Sequence, residues 1–376
     1  MAFFWGNLTD LLTNIPFIFL GILGIGFLIG FHELGHFLFC KLFGIKTPSF
    51  SIGFGPTLIE KKIADTQFQL AAIPLGGYVE IAGMAEIGQG EQHEAGRRDK
   101  HSFASKPYYQ KLLVMFGGIL FNLLFAYLAF IFLFALGIPK TPLLYPLMGT
   151  TTIEIVQENS AAALADLQPG DTILGVERED ISDISALLKK ISELRDKNIV
   201  LHIKRNNTEF DRAVNLAGSP DPKLKGRLGV QFVLNDIPAK GFIEAISSGI
   251  SATNLLIAQT CSIFVNIFKK RTTDGLGGPL MIIIQMVKSA QQGLSVWLLL
   301  LALISINLAV LNLIPLPILD GGQILFYTIE AAIGRPLHEK IRLGIHYVSW
   351  ILILLLLVYL TIKDTSSLFS LFWGPK

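Results

Sequence analysis

The chain has 376 residues, of which 51% are hydrophobic and only 16% are charged. Soluble proteins carry nearer a quarter charged residues, so this composition is typical of a membrane protein. The net charge of +2 gives no sign of a basic face for nucleic acid, and the two cysteines are too few for a disulfide framework.

Four apolar runs are long enough to cross about 30 Å of hydrocarbon. The first is preceded by no Lys or Arg and is longer than the apolar core of a signal peptide, so we expect it to be a retained span. The runs cover approximately residues 15–39, 112–136, 295–319 and 344–362.

The first run contains three polar side chains within five positions, in the sequence FHELGH. Such groups are costly in an apolar helix, which favours a functional role. His32 and His36 are four residues apart and therefore share one helix face, where both can reach one metal ion. The spacing H-E-x-x-H is a zinc-site signature in which Glu33 is the general base for a water. We predict one Zn²⁺ per chain at this site.

Residues 50–82 have a β-like pattern, and Gly76-Gly77 is a turn signal within it. The segment is unusually apolar for a loop. It predicts a β-hairpin that enters the membrane against the protein, where non-helical backbone is tolerated. A hairpin on the cytoplasmic surface is the alternative. Residues 85–105 are polar and predict a mobile loop.

The second run contains FGGILFN, in which Gly117, Gly118 and Asn122 form a small-residue face with one polar group. One interpretation is simple helix packing. The other places this helix against the first, with Asn122 near the polar site.

Residues 147–217 change to the composition of a small soluble α/β domain with strands, a short helix and an amphipathic helix. Their order resembles one PDZ domain. Residues 239–268 are amphipathic and predict a helix on the membrane surface or against the spans. A fifth transmembrane helix is the competing interpretation, but an added crossing would conflict with the basic residues at 335–342.

The third run ends in NLIPLPILDGG, where Asp320 is the candidate third metal ligand. Pro315 and Pro317 break the helix before it, and the freed backbone groups could bind an extended peptide. Gly321 and Gly322 permit close backbone approach. The alternative is a helix-ending aspartate in a cytoplasmic turn.

Basic residues concentrate in the connections after the first and third runs, which predicts that both connections are cytoplasmic and that the termini and residues 138–294 lie outside. Lys269, Lys270 and Arg271 do not fit this pattern, but long loops are translocated largely regardless of charge. At 1.5 Å per residue, His32 lies roughly 25 Å from the outer surface. Asp320 reaches a similar depth, so both predicted ligands lie towards the cytoplasmic side.

Five motifs occur in order along the chain: FHELGHFLFCKLFGIK, IPLGGYVEIAG, FGGILFN, the PDZ-like unit and ISINLAVLNLIPLPILDGG. Together they resemble the site-2 proteases, the intramembrane zinc metalloproteases, and are most similar to the bacterial members that regulate the sigma-E response. The resemblance implies zinc ligation by His32, His36 and Asp320 and water activation by Glu33. It further implies roles in binding the substrate backbone for Asn312, Pro315, Pro317, Gly76 and Gly77. Asn122 and Gly118 are the candidate supporting residues from the second run.

The implied fold is a mainly α-helical polytopic membrane protein with four transmembrane helices, a membrane-associated β-hairpin and one inserted α/β PDZ-like domain. A well-known bacterial member of the family has two PDZ units where this chain has one, and many relatives have Gly-Pro at Gly117-Gly118. The segments expected are 1–42 with the HExxH helix, 43–110 with the hairpin and loop, 111–138 with the second helix, 139–235 with the PDZ-like domain, 236–294 with amphipathic helices, 295–322 with the third helix, and 323–376 with a turn and the fourth helix.

The resemblance also implies single-pass membrane substrates that have been trimmed on the outer side, such as anti-sigma factors or signal-peptide remnants. The expected location is the bacterial inner membrane, with the termini and the PDZ-like domain in the periplasm. The partners are then the lipid bilayer and the substrate, and the oligomeric state stays open. A non-catalytic scaffold of the same fold is the alternative function. A transporter would require inverted repeats, which the sequence lacks, and a histidine-rich oxidase would require more paired histidines.

Overall fold

The computed structural model describes residues 8–84, 94, 96–195, 197–221, 224–270, 277–335 and 337–373. The predicted mobile loop lies partly outside these residues. The chain divides into two compact units, one formed by Met1–Leu133 with Phe242–Lys376 and the other by Phe134–Gly241.

The described residues form ten α-helices and eight β-strands. The helices are α1 (Leu8–Leu42), α2 (Tyr108–Leu136), α3 (Tyr145–Met148), α4 (Ala161–Leu164), α5 (Ile184–Glu193), α6 (Phe242–Lys270), α7 (Pro279–Gln291), α8 (Leu294–Asn312), α9 (Asp320–Ile333) and α10 (Glu339–Trp373). The strands are β1 (Ser49–Ile63), β2 (Thr66–Val79), β3 (Gly149–Val156), β4 (Thr172–Val176), β5 (Glu179–Asp180), β6 (Asn198–Arg205), β7 (Thr208–Asn215) and β8 (Val230–Leu234).

Five of these helices, α1, α2, α6, α8 and α10, are long and apolar enough to cross a bilayer, which is consistent with a multi-pass membrane protein. The predicted number of four transmembrane helices is not confirmed, because α6 is also long and apolar enough to cross a bilayer. Two polar residues of α6 face other spans: Asn254 accepts a hydrogen bond from Tyr127 of α2, and Thr260 donates one to Asn307 of α8 at 3.3 Å. The amphipathic pattern of α6 therefore reflects hydrogen bonds between helices as well as a polar surface.

Small residues let the helices around α1 approach closely. A Cβ at Gly117 would lie 2.7 Å from the backbone oxygen of Gly35, so α1 and α2 touch through their backbones. Helix α7 runs antiparallel to α1, since Gln291 donates to Asn14 at 2.6 Å while Met286 lies beside Gly21.

The third apolar run covers approximately residues 295–319, but its helix ends at Asn312, just before the predicted proline break. Pro315 and Pro317 explain the difference, because each removes a backbone donor and disfavours helical geometry in the residue before it. A separate helix, α9, then begins at Asp320, where a turn had been expected beyond residue 322.

Strands β1 and β2 form an antiparallel hairpin whose turn is at Ala64–Asp65. The interpretation of Gly76-Gly77 as a turn was wrong, since both glycines lie inside β2. Their small size serves packing: a Cβ at Gly76 would overlap the Phe54 ring, and one at Gly77 would lie 2.8 Å from the backbone oxygen of Ser51.

The hairpin packs along α1. A Cβ at Gly26 of α1 would lie 2.8 Å from the backbone oxygen of Pro74, so β2 passes directly over the helix. Phe37 of α1 meets the rings of Phe50 and Phe68 at centroid distances of 5.6 and 5.5 Å. These edge-on aromatic contacts bury the inner face of the hairpin.

The unit Phe134–Gly241 is built on an antiparallel sheet of strand order β7-β6-β4-β3-β8, with β5 beside β4. Within residues 147–217 the sequence predicted two strands at TTIEIV and NIVLHIKR and an amphipathic helix at SALLKKISEL, and these correspond to β3, β6 and α5. The core lies between the sheet and its helices and includes Ile173, Leu187 and Leu201, each fully buried.

A partly buried ion pair in this unit links Asp171, the residue before β4, to Arg205 at the end of β6. Arg205 donates to both oxygens of Asp171, at 2.6 and 2.8 Å, and the backbone N–H of Gln168 adds a third hydrogen bond. Burial raises the pKa of the Asp171 carboxyl, but the hydrogen bonds from Arg205 and Gln168 outweigh burial and hold that pKa below its usual value.

We expect Asp171→Asn to destabilise this unit by about 1.5–3 kcal/mol, the range for hydrogen bonds to charged groups. Because the folded pKa is depressed, the stabilisation is present above the unfolded pKa, near 3.9, and is lost as pH falls towards the folded pKa. Amide hydrogen exchange of β4 and β6 in the full-length protein measures both effects. Asp180→Asn, on the exposed β5, is the matched control, and equal protection in the two variants would contradict the prediction.

Candidate metal centre

Three side chains from two helices bring donor atoms to one point. Nε2 of His32 and Nε2 of His36 are 3.3 Å apart, and the two carboxylate oxygens of Asp320 lie 3.4 Å from His32 and 3.5 Å from His36. The histidines lie one turn apart on α1, and Asp320 is the first residue of α9. The structure thus brings together the three residues that the sequence singled out as ligands.

These distances fit a tetrahedral zinc site. With bonds near 2.0–2.1 Å, tetrahedral ligand atoms lie about 3.3 Å from one another. Among the described residues, Oδ2 of Asp320 is buried without a hydrogen-bond donor. A buried carboxylate oxygen facing two imidazole nitrogens is explained by a cation between them, and two nitrogens with one oxygen suit zinc.

Helix α2 sets the orientation of His36. Nδ1 of His36 lies 2.8 Å from the backbone oxygen of Val114, which can only accept a hydrogen bond. Nδ1 therefore carries the proton, and Nε2 presents its lone pair to the cluster. Gly118 lies against both rings, and a Cβ there would occupy the space of His32 and His36. This contact with the two histidine rings explains the absence of a side chain at position 118 better than packing between helices does.

Asn122 is the corresponding partner of His32. Its side-chain amide lies 3.1 Å from Nδ1 of His32, and the residue is 1% exposed. The atom at that distance is the amide nitrogen, and the amide oxygen is buried without a hydrogen-bond donor in the part of the chain that the structure describes. When a metal takes Nε2, Nδ1 of His32 carries the proton, and turning the Asn122 amide over makes its oxygen the acceptor of that proton. Of the two interpretations of the FGGILFN motif, the geometry favours the one near the polar site.

We expect Asn122→Leu to lower the affinity for zinc about 10–100-fold, the usual cost of losing such a partner. Asn122→Asp should keep most of the affinity, because a carboxylate also accepts the Nδ1 proton. Zinc titration against a competing chelator measures the affinity without any cleavage assay. Equal affinity in the Leu variant and the unaltered chain would show that Asn122 does not position His32.

Glu33 lies beside the cluster in a cavity of about 150 Å³. The cavity is also lined by Asn312 at the end of α8, and by Val79 and Ile81 at the end of the hairpin. A Cβ at Gly77 would come within 3.7 Å of Cγ of Glu33, so the glycine lets β2 pass close to the base. Of the residues predicted to bind substrate, Asn312 lines this cavity, whereas Gly76, Gly77, Pro315 and Pro317 do not.

The segment before Asp320 is held by a network that sequence reasoning missed. Gln323 donates a hydrogen bond to the backbone oxygen of Pro317 at 2.7 Å and lies 3.2 Å from Nε2 of His346. Arg342 donates to the side-chain oxygen of Gln323 at 3.3 Å. The signal in the sequence was weak: Gln323 stands three residues after Asp320, on a helix that was not predicted. Through this network α10 fixes the proline-containing loop.

Comparisons with known proteins agree with this geometry. Residues 20–356 match peptidase family M50. Three bacterial proteins named "Putative zinc metalloprotease" are similar over most of their length. The relative from Campylobacter jejuni is 32% identical over 92% of each chain. The relative from Synechocystis is 30% identical over 93% of this chain and 94% of its own length. The relative from Helicobacter pylori is 33% identical over 81% of this chain and 86% of its own length. The chain therefore belongs to peptidase family M50, the zinc metalloproteases of the site-2 type.

Proposed function

We propose that the chain is an intramembrane endopeptidase that cleaves single-pass membrane proteins in or near their transmembrane segment, with one zinc ion per chain. The observation that carries the proposal is the position of the cluster. His32 and His36 lie within the span Asn14–Leu42, and Asp320 faces them from α9, eight residues beyond the end of the span Leu294–Asn312.

The proposed chemistry divides between the ion and the side chains. Bound zinc polarises a carbonyl and lowers the pKa of a water. Glu33, across the same cavity, accepts the proton of the attacking water and passes it to the leaving amine. Asn312 is placed to bind the substrate backbone beside the scissile bond.

The hairpin is proposed to hold the unwound substrate as an added strand. Its end borders the cavity through Val79 and Ile81. Residues 77–79 of β2 pair with residues 50–52 of β1 on one edge, whereas residues 67–70 have β1 residues on both edges. The edge proposed to accept a peptide backbone is therefore the second edge of residues 77–79. A helical peptide bond must first lose its helical hydrogen bonds, and such an edge satisfies the freed groups.

We also propose that this hairpin enters the bilayer instead of lying on its surface. Pro74 of β2 touches Gly26, which is 12 residues into the span that begins at Asn14. At 1.5 Å per residue this contact is about 18 Å into the span, near the middle of the hydrocarbon.

The proposed orientation places the termini outside and the metal centre towards the cytoplasm. The contacts of α6 with α2 and α8 support a crossing, which would carry Lys269 and Lys270 to the cytoplasmic end and account for their charge. Helix α7 runs antiparallel to α1, so it can return the chain to the start of α8. In this arrangement α1 and α8 both enter the membrane from the outer side.

The unit Phe134–Gly241 is proposed to be PDZ-like and to exclude substrates that have not been trimmed outside. Its order of strands and helices supports this assignment. Anti-sigma factors of a sigma-E response and signal-peptide remnants are the proposed substrates, and the inner membrane of a bacterium is the proposed location. A scaffold of the same fold would have no need for Glu33, yet the side chain lies in the cavity with all three ligands.

A direct test uses the purified full-length protein in detergent with a tagged single-pass peptide whose outer portion has been removed. We expect cleavage inside the apolar segment, its loss with a zinc chelator, and its return when zinc is added. If a panel of trimmed peptides stays intact although the folded protein holds zinc, the scaffold becomes the better assignment.

A further inference from the structure

A second cavity, of about 370 Å³, lies away from the metal centre, between the start of α2 and the end of α9. Lys111 and Arg335 line it together with the rings of Tyr108 and Tyr327 and the carboxylate of Glu330. No step of the proposed cleavage uses these residues.

The charges around this cavity are unbalanced. Among the described residues, Lys111 and Arg335 form no ion pair. Arg342 lies over the Tyr327 ring at 5.5 Å, and its hydrogen bonds with Tyr327 and Gln323 are to uncharged groups. The one carboxylate, Glu330, accepts a hydrogen bond from the backbone of Leu337 at 3.0 Å. Three cations against one carboxylate favour an anionic ligand.

Aromatic rings hold these cations near the cavity. Nζ of Lys111 lies 5.7 Å from the centroid of Tyr327 and 5.9 Å from that of Phe103. Contact with aromatic faces stabilises a cation that is partly removed from water. The neutral rings thus hold the ammonium group of Lys111 beside the cavity, and Glu330 is the carboxylate that attracts it there.

The cavity lies where two candidate spans begin. One span starts at Tyr108 and another at Lys340, so the residues around the cavity are at the boundary between apolar and polar surroundings. Tyrosine, lysine and arginine are typical of the headgroup level of a membrane. The neighbouring helix α10 also leaves most of its apolar surface exposed, where acyl chains can lie.

We propose that this cavity binds the phosphodiester headgroup of an anionic phospholipid. Basic pockets between transmembrane helices are suited to such headgroups. Lys111 and Arg335 bind the phosphate, Arg342 adds positive charge, and Glu330 accepts a hydrogen bond from a headgroup hydroxyl. Free phosphate shares the charge but gains nothing from the adjoining apolar surface, which is why the lipid is the favoured ligand.

The test titrates the full-length protein in neutral detergent with phosphatidylglycerol or phosphatidylcholine and counts bound lipids by native mass spectrometry. We expect phosphatidylglycerol to bind more tightly. The double variant Lys111→Gln, Arg335→Gln should bind it roughly thirtyfold more weakly, since each basic residue near a membrane surface contributes about a factor of five. The variant Arg178→Gln, Lys189→Gln removes the same charges from exposed sites elsewhere and should bind as the unaltered chain does.

Several results would overturn the proposal. These are equal affinity for the two lipids, equal affinity in the pocket variant and the unaltered chain, and displacement of the lipid by millimolar inorganic phosphate, which would identify a site for free phosphate. Because Lys111 is partly buried, Arg335→Glu alone at an exposed position provides a second variant that should fold normally and weaken binding in the same direction. The measurement needs no cleavage, so it is independent of the proposed protease activity.

Discussion

Replacing Glu33 by Gln is expected to lower the rate of peptide cleavage by about 10²–10⁴-fold, the usual contribution of a general base, while the protein keeps its zinc. Glu33 lines the cavity beside the ligand cluster but is not part of it. Glutamine has nearly the same size and hydrogen-bonding reach, so the helix and the two histidines should keep their places. It cannot accept the proton of the attacking water.

The measurement pairs cleavage of a trimmed single-pass peptide with the zinc content of the same preparation. Glu154→Gln, on an outward-facing position of β3, is the control for removing one carboxylate and should change neither value. A Glu33→Gln enzyme that still cleaves at the normal rate would rule out the role of base. One that loses its zinc would instead make Glu33 part of the metal site.

The metal cluster could be predicted because helix geometry is local. Two histidines four residues apart must share a helix face. Placing polar side chains in an apolar span is energetically unfavourable, which indicated a functional role for them. Asp320 lies 284 positions after His36, and the proline break, the depth comparison and the family resemblance pointed to it. The structure brings them together because α1 and α8 run in the same direction along neighbouring paths.

The features that sequence reasoning missed depend on contacts between distant segments. Gly76-Gly77 has the composition of a turn, but the need for these glycines comes from Phe54 and from Ser51 across the hairpin. Similarly, the polar residues of α6 left open a helix on the surface, a helix against the spans and a fifth span, because their partners on α2 and α8 cannot be identified from one segment. The role of Gln323 was hidden for the same reason, since its partners include Pro317 and His346.

Replacing Asp320 by Asn should have a different signature from the loss of Glu33. We expect zinc affinity to fall more than 100-fold, because even the partners behind a ligand contribute about 10–100-fold. The asparagine side chain lacks the negative charge with which Asp320 balances the charge of the zinc ion. Its amide N–H groups also cannot donate a lone pair to the metal. Cleavage should fall in parallel and recover in part at high zinc, which it should not do after Glu33→Gln.

Thermal unfolding gives a readout for Asp320→Asn that does not depend on cleavage. A ligand that binds only the folded state stabilises it by mass action, so zinc should raise the melting temperature of the unaltered chain but much less that of the variant. Without zinc the variant should be at least as stable, because Asp320 then no longer leaves a buried carboxylate oxygen without a donor. Asp180→Asn should keep the full response to zinc. A normal response in Asp320→Asn would exclude Asp320 as a ligand, and the two histidines would then need another third partner.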